Sequence, residues 1–443
     1  MSSEALTLLL FLLLFSMLLA GFPVAFTLGG LSILFGLVAF GFDFFNLLPL
    51  RIYGIMNNYV LIAVPLFVFM GVMLEKSGIA ERLLDTMSLL LGRLKGGLAL
   101  SVVIVGALLG ATTGVVGATV TTMGLLSLPT MLRRGFSKSL ATGTIAAAGT
   151  LGQLVPPSVV MVLLGSVMNI SVGDLFAAAL VPSALLVAGY LIYIFMVALF
   201  NPKQAPPIAT EELRTFWSKG VSVRVLRAFV LPALLVLAVL GSIYAGIATP
   251  TEAAAVGAAV AMLLTALEGK LTWEVIFDTC KQTTFLTSMV FIILVGATAF
   301  GLVFRGIGGD NVMINLIEHT KLSPMLFLAF VLAGIFIAGC FIDFIEIIFI
   351  FIPVITPLLV KYEMNLIWVA ILITVMLQTS FLTPPFGFTL FYLKGVTPPE
   401  VQTVDIYKGV VPFIVIQVVV VAVIFAVPEL GTFVPKATRA ALP

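Results

Sequence analysis

Long apolar runs fill this chain from end to end, and two of them are interrupted by a proline pair in matching places. Leu154-Val155-Pro156-Pro157 returns 228 positions later as Leu382-Thr383-Pro384-Pro385. Runs such as 6–19 and 410–426 are continuous rather than alternating, which fits helices and not the ten-residue alternating segments of a barrel. At 61% hydrophobic and 9% charged residues, the chain carries more apolar surface than a water-soluble core could hide. The fold class is therefore all-α and polytopic, embedded in a lipid bilayer. A net charge of +2, with no basic cluster interleaved with aromatics, excludes nucleic acid as a partner.

Spans are expected near 5–21, 24–41, 59–75, 137–166, 174–200, 226–246, 250–267, 283–304, 365–393 and 405–427. The first run lacks a basic n-region, and a second apolar stretch follows Pro23 at once, so it reads as a retained span rather than a signal peptide. Two further segments, 98–131 and 324–360, are apolar but broken near Ala111-Thr112-Thr113-Gly114 and near 339–343. Each half is about 15 residues, or roughly 22 Å, which is short for a ~30 Å hydrocarbon core. They read as re-entrant helical hairpins, with four ordinary short spans as the alternative.

Sixteen of the 22 Lys and Arg fall in segments 76–96, 132–138, 201–227, 268–282 and 394–408. The remaining six are Arg51, Arg305, Lys321, Lys361, Lys436 and Arg439. The positive-inside rule makes the first set cytoplasmic and turns both termini outward. Cys280 and Cys340 then lie on opposite sides, which excludes a disulfide framework. The 228-residue offset recurs in Gly78-Ile79 and Gly306-Ile307 and in Pro129 and Pro357; Val181-Pro182 and Val411-Pro412 follow at 230. Counted through the membrane, the two copies run in opposite senses, giving inverted-topology repeats with two re-entrant hairpins and two broken helices. The expected organisation is scaffold spans in 1–75, a first repeat in 76–200, a cytoplasmic linker in 201–225, further scaffold in 226–304, a second repeat in 305–428 and a tail in 429–443.

A helix broken at mid-membrane exposes carbonyls at one end and N–H groups at the other, and hydrocarbon solvates neither. Carbonyls and hydroxyls suit a small hard cation such as Na⁺, and helix N-termini suit an anionic solute. In the first repeat the candidates are Thr112, Thr113 and Gly114 at the hairpin tip, with Gly149, Thr150, Gly152, Pro157 and Ser158 around the break. In the second they are Gly339 and Asp343, with Gln378, Thr379, Ser380, Thr383 and Pro385. Thr112, Gly149, Thr150, Gly152, Gly339, Thr379 and Ser380 are assigned to Na⁺. Thr113, Gly114, Pro157, Ser158, Asp343, Thr383 and Pro385 are assigned to the solute.

Other readings compete at several positions. Gly106, Gly110 and Gly114 have the spacing of close helix packing. Asp343 and Glu346 are costly in lipid, by about 3 kcal/mol each at a helix centre, and such residues mark ion or solute routes; Asp343 also suits an N-cap. Thr249-Pro250-Thr251-Glu252 reads as a capping box. His319, the sole histidine, has no metal-ligating neighbours in sequence. No nucleophile-elbow, Walker or zinc motif occurs, so the chain is not expected to be an enzyme, to hydrolyse ATP or to need an organic cofactor.

The segments 149–158 (GTLGQLVPPS), 382–387 (LTPPFG), 339–343 (GCFID) and 249–255 (TPTEAAA) resemble the large membrane subunit of tripartite ATP-independent periplasmic (TRAP) transporters, of the dicarboxylate-permease type, over essentially the whole chain. The resemblance implies an elevator-type, Na⁺-driven importer of organic acids in the bacterial inner membrane. It also implies a small four-helix membrane subunit and a periplasmic substrate-binding protein as partners, with Na⁺ held where each hairpin tip meets its broken helix. Phe386 and Thr389 depart from the pattern of many members, which bears on the choice of solute. A self-sufficient ion-coupled carboxylate symporter, needing no binding protein, is the alternative.

Overall fold

The computed structural model describes residues 2–113, 116–208, 221–320, 322–384 and 387–441. The side chains of residues 45, 111–113, 221–224, 227, 316–318, 320, 436 and 438–441 lie outside that description. Among the described residues the chain is entirely helical, and seven helices are long and apolar enough to cross a membrane.

The repeat governs the helix boundaries. The first hairpin consists of Gly97–Thr113 and Val116–Arg133, the second of Pro324–Gly339 and Phe344–Lys361. Their second arms end at 133 and 361, so the offset holds at that end. Pro129 and Pro357 sit inside these arms at equivalent places. The first broken helix is Lys138–Thr150, a 3₁₀ turn at Leu151–Gln153, and Val159–Met168; the second is Leu366–Leu382 and Phe388–Val396. Even the caps repeat. Ser137 accepts from Leu140 N–H at 3.2 Å, and Asn365, 228 residues on, accepts from Ile367 and Trp368 N–H.

Both broken helices occupy the centre because they offer no polar face to expose. Residues 140–150 are all buried, as are 368–375 and 377–382. Small residues set how closely they pack: a Cβ added to Gly143 would land on the carbonyl of Gly409 in the helix Thr403–Ala426. Each hairpin crosses to the other repeat. The second arm of the first hairpin lies on Phe388–Val396, where Gly117 faces the Tyr392 ring, and that of the second lies on Val159–Met168. Around this centre, Ala63–Lys76, Pro250–Leu267, Trp273–Gly306 and Val24–Phe40 pack mainly on one another. Thr249 and Glu252 form the expected capping box.

Five segments differ from expectation. Ile79–Leu90 and Gly309–Thr320, expected as connections, are helices. In the first, Ile79, Ala80, Leu83, Leu84 and Met87 are buried while Glu81, Arg82 and Asp85 face out, so its average hydropathy is low although its stripe is apolar. Gly78 opens it at φ 71°, with the Lys270 side chain where a Cβ would stand. The equivalent positive-φ glycine is Gly308, not Gly306, so the offset there is 230. Phe44–Met56 is also helical despite Pro49. Trp273–Gly306 starts ten residues before the expected span; its 34 residues reach about 51 Å, well beyond the bilayer core. That overhang carries Asp278, which pairs with Lys76, and close by the buried Glu268 pairs with Arg82. The segment from 429, expected as a tail, forms the helix Glu429–Ala441.

Replacing Gly143 by Val forces a side chain into the Gly409 backbone and should cost about 3 kcal/mol. Thermal unfolding of the detergent-solubilised protein should show a clearly lowered midpoint. An unchanged midpoint would contradict this packing.

Candidate functional site

The two hairpin tips meet the two helix breaks in mirrored fashion. Gly110, in the last turn of the first hairpin's first arm, packs on the break at Gly152: an added Cβ would lie 2.6 Å from Gly152 N. Gly339, at the end of the second hairpin's first arm, packs directly on Ser380. Gly152 and Ser380 are 228 residues apart. The contact is intimate because neither glycine has a side chain to hold the helices apart.

The hydroxyls here point back into their own helices. Thr150 donates to the Ala147 carbonyl, Thr379 to Val375, Ser380 to Leu377 and Thr383 to Thr379, all at 2.7–2.8 Å, and Ser158 donates to Gln153. Each donor is therefore satisfied while oxygen lone pairs are left over, fewer at Thr150, which also accepts from Gln378, a state that suits a hard cation. Gly149 is held under Val120 of the first hairpin. Pro157 is buried after a cis Pro156–Pro157 bond. Of the expected residues, the side chains of Thr112 and Thr113, and Gly114 and Pro385 altogether, lie outside the described residues, as does Phe386.

Asp343 is the N-cap of the second hairpin's outgoing helix. Its carboxylate accepts from Phe344 N–H at 2.6 Å, and Glu346 accepts from Asp343 N–H at 3.3 Å. The capping reading thus holds, and Asp343 also lines a cavity of about 350 Å³. Both tip regions line it, through Gly117, Ala118 and Thr121 and through Asp343, Phe344 and Ile345, and both breaks reach it through Val159 and Phe381. Val68 and Glu75 of Ala63–Lys76 and Leu286, Met289 and Val290 of Trp273–Gly306 form the opposing wall. Phe381 stacks on Phe388 at 5.4 Å and meets Phe344 at a tilt at 5.6 Å, making an apolar shelf beside Asp343. The cavity runs from Asp343 to Glu75, toward the cation-rich face. There Thr122 of the first hairpin donates to Glu75 at 2.8 Å.

Thr150 and Gln378 belong to a buried polar chain between the repeats, whose other members, Tyr190 and Gln417, sequence reasoning missed. Gln378 Nε2 donates to Thr150 Oγ1 at 3.4 Å, joining residues 228 apart, and Gln417 Nε2 donates to the Tyr190 hydroxyl at 2.7 Å. Tyr190 also interacts with Gln378. Gln378 Oε1, Gln417 Oε1, Thr389 Oγ1 and both amide atoms of Gln153 are buried with no hydrogen-bond partner among the described residues. The available signal was a lone amide or phenol inside an apolar run, as in 410–426 for Gln417.

Residues 11–430 match the family described as Tripartite ATP-independent periplasmic transporter, DctM component. The chain belongs to this family. It is a multi-pass inner-membrane transport protein and not an enzyme. The permease is 31% identical to the C4-dicarboxylate TRAP transporter large permease protein DctM of Pseudomonas aeruginosa, over 92% of this chain and 93% of that one. It is 29% identical to the ectoine/5-hydroxyectoine TRAP transporter large permease protein UehC of Ruegeria pomeroyi, over 84% and 85%. Its fold is similar to that of the Alcanivorax borkumensis YdaH transporter, at a TM-score of 0.62 and 15% identity, covering 95% of this permease and 98% of that chain.

Tyr190→Phe leaves the buried Gln417 amide without its acceptor and should cost about 1–3 kcal/mol. Adding Gln417→Leu should recover part of that loss, because both partners are then apolar. Unfolding midpoints that are simply additive would contradict the coupling.

Proposed function

We propose that this permease imports a small organic carboxylate, driven by a Na⁺ gradient, with the solute delivered by a periplasmic binding protein and a small membrane subunit completing the system. The observation that carries the reading is the single cavity of about 350 Å³ touched by both hairpin tips and both helix breaks. One solute there would neighbour both sets of broken-helix dipoles at once. Family membership supports the tripartite assembly, and the relatives' solutes, a C4-dicarboxylate in one and ectoine in another, support a small carboxylated cargo.

Na⁺ as a co-transported substrate is supported by the close contacts between Gly110 and Gly152 and between Gly339 and Ser380, which bring the Gly110 carbonyl and the Ser380 hydroxyl to the breaks. Thr112, Gly149, Thr150, Gly152, Gly339, Thr379 and Ser380 would supply its oxygens. Thr113, Gly114, Pro157, Ser158, Thr383 and Pro385 would face the solute. Asp343 would face the solute with the cation between them, because a carboxylate repels another carboxylate.

Alternating access would occur by an elevator step, in which the hairpins and broken helices slide as a unit along Ala63–Lys76 and Trp273–Gly306. The facing wall supports this, since Val68, Leu286, Met289 and Val290 are apolar, and the Thr122–Glu75 bond would be broken in the step. The cavity's extension to Glu75 corresponds to an inward-open form.

Proteoliposomes holding the permease and its small subunit should accumulate solute only with an inward Na⁺ gradient and the loaded binding protein. Uptake indifferent to both would refute the proposal, and uptake needing only Na⁺ would favour a self-sufficient symporter. Asp343→Asn keeps a good N-cap while removing charge; Asp343→Ala also loses the cap, at about 0.5–2 kcal/mol. Asn should therefore leave the unfolding midpoint near wild type yet weaken Na⁺ dependence several-fold; Ser380→Ala should weaken it directly, and Thr113→Ala through the solute it faces. A wild-type Na⁺ response in all three would remove the cation assignment.

A further inference from the structure

A second cavity, of about 390 Å³, opens on the opposite side of the solute cavity and carries a different chemistry. Arg51 and Asn58 line it on one side, Ser166 and Asn169 on another, and Thr298 and Arg305 on a third. No Asp or Glu is among its lining residues. The volume falls within the ordinary range for a small-molecule site of roughly 300–1,000 Å³. The cation count puts this cavity on the outer face, where Lys and Arg are scarce. Of the six outer cations, only Arg51, Arg305 and Lys361 have described side chains, and two of those three converge here.

The two arginines are not used up by structural ion pairs. Arg51 makes no ion pair among the described residues. Arg305 Nε donates to the Gly301 carbonyl at 3.2 Å, which fixes the side chain across its own helix and leaves its other donors for a ligand. The carboxylate that feels Arg305 is Asp310, outside the lining; burial pushes that carboxyl up and Arg305 pulls it back down. The floor is preset as well. Asn58 Nδ2 donates to Ser166 at 2.9 Å, tying the start of Tyr59–Ile62 to the end of Val159–Met168.

The two cavities share walls. Val290 lines the inner and Leu294 the outer, while Ile345 lines the inner and Phe349 the outer. Each pair is one helical turn apart, about 6 Å. A solute held outside therefore already sits over the groove that leads to the hairpin tips.

We propose that the Arg51–Arg305 cavity is an outer anion-binding antechamber, which takes a small carboxylate before it reaches the membrane-centre site. Two guanidiniums without a lining acid raise the local concentration of anions, and their planar donors match carboxylate geometry. The proposal rests on the carboxylate-importer reading above and adds a site to it.

The test is a Gly54→Cys variant, since Gly54 lines the cavity and an added Cβ there meets nothing within 4 Å. Labelling of residue 54 by an anionic sulfonate and by a cationic ammonium methanethiosulfonate is followed by peptide mass spectrometry in the reconstituted complex. The anionic reagent should react faster, and succinate or pyruvate, in separate arms, should slow it. Adding Arg51→Gln and Arg305→Gln should lower the anionic rate by about tenfold, raise the cationic rate and abolish protection. Arg→Lys at both positions should keep the charge preference and guards against misfolding in the glutamine variants. Rates indifferent to the arginines, or protection by phosphatidylglycerol vesicles but by neither carboxylate, would overturn the antechamber. Na⁺-driven uptake by the unmodified complex is scored separately: uptake without protection sinks the antechamber alone, and protection without uptake sinks the importer reading alone.

Discussion

Peptide groups freed at a helix break have no water to turn to at the centre of a bilayer, and the rest of this permease is arranged around that constraint. Satisfying such groups needs protein close enough to exclude lipid, and the chain supplies it by folding two hairpins back onto the two breaks. Closeness requires small residues, so Gly110 meets Gly152 and Gly339 meets Ser380. It also requires that the broken helices be surrounded, which explains why residues 140–150 and most of 366–382 are buried on every side.

The same constraint links architecture to work. Oxygens held near each other without enough donors favour a small cation, and a cation beside a helix N-terminus favours a solute carrying negative charge. In the proposed mechanism each guest makes the other's site better, and coupling needs no separate machinery. The polar chain from Thr150 through Gln378 to Tyr190 and Gln417 joins equivalent positions of the two repeats.

Much of this was legible in the sequence because the features concerned are local and repeated. The proline pairs and the prolines inside the hairpin arms recur at one offset. The helices Ile79–Leu90 and Gly309–Thr320 were not legible by average hydropathy, because charged and polar residues such as Glu81, Arg82 and Asp85 in the first, and Asp310 and Asn311 in the second, dilute their apolar positions. The buried partners Tyr190 and Gln417 were hidden for another reason: a single polar residue in an apolar span says nothing of what it meets across the repeat. Asp343 lay between these cases, since its type suggested both a cap and a site, and the fold uses it as a cap at the edge of the cavity.

Hydrogen–deuterium exchange of the reconstituted permease, compared in Na⁺ and in K⁺, tests the central claim most directly. Peptides spanning 149–158 and 378–387 should exchange more slowly in Na⁺ than in K⁺, while helices away from the breaks stay unchanged. Equal exchange in the two salts at both breaks would show that their backbone groups are satisfied without the cation, and would contradict the account.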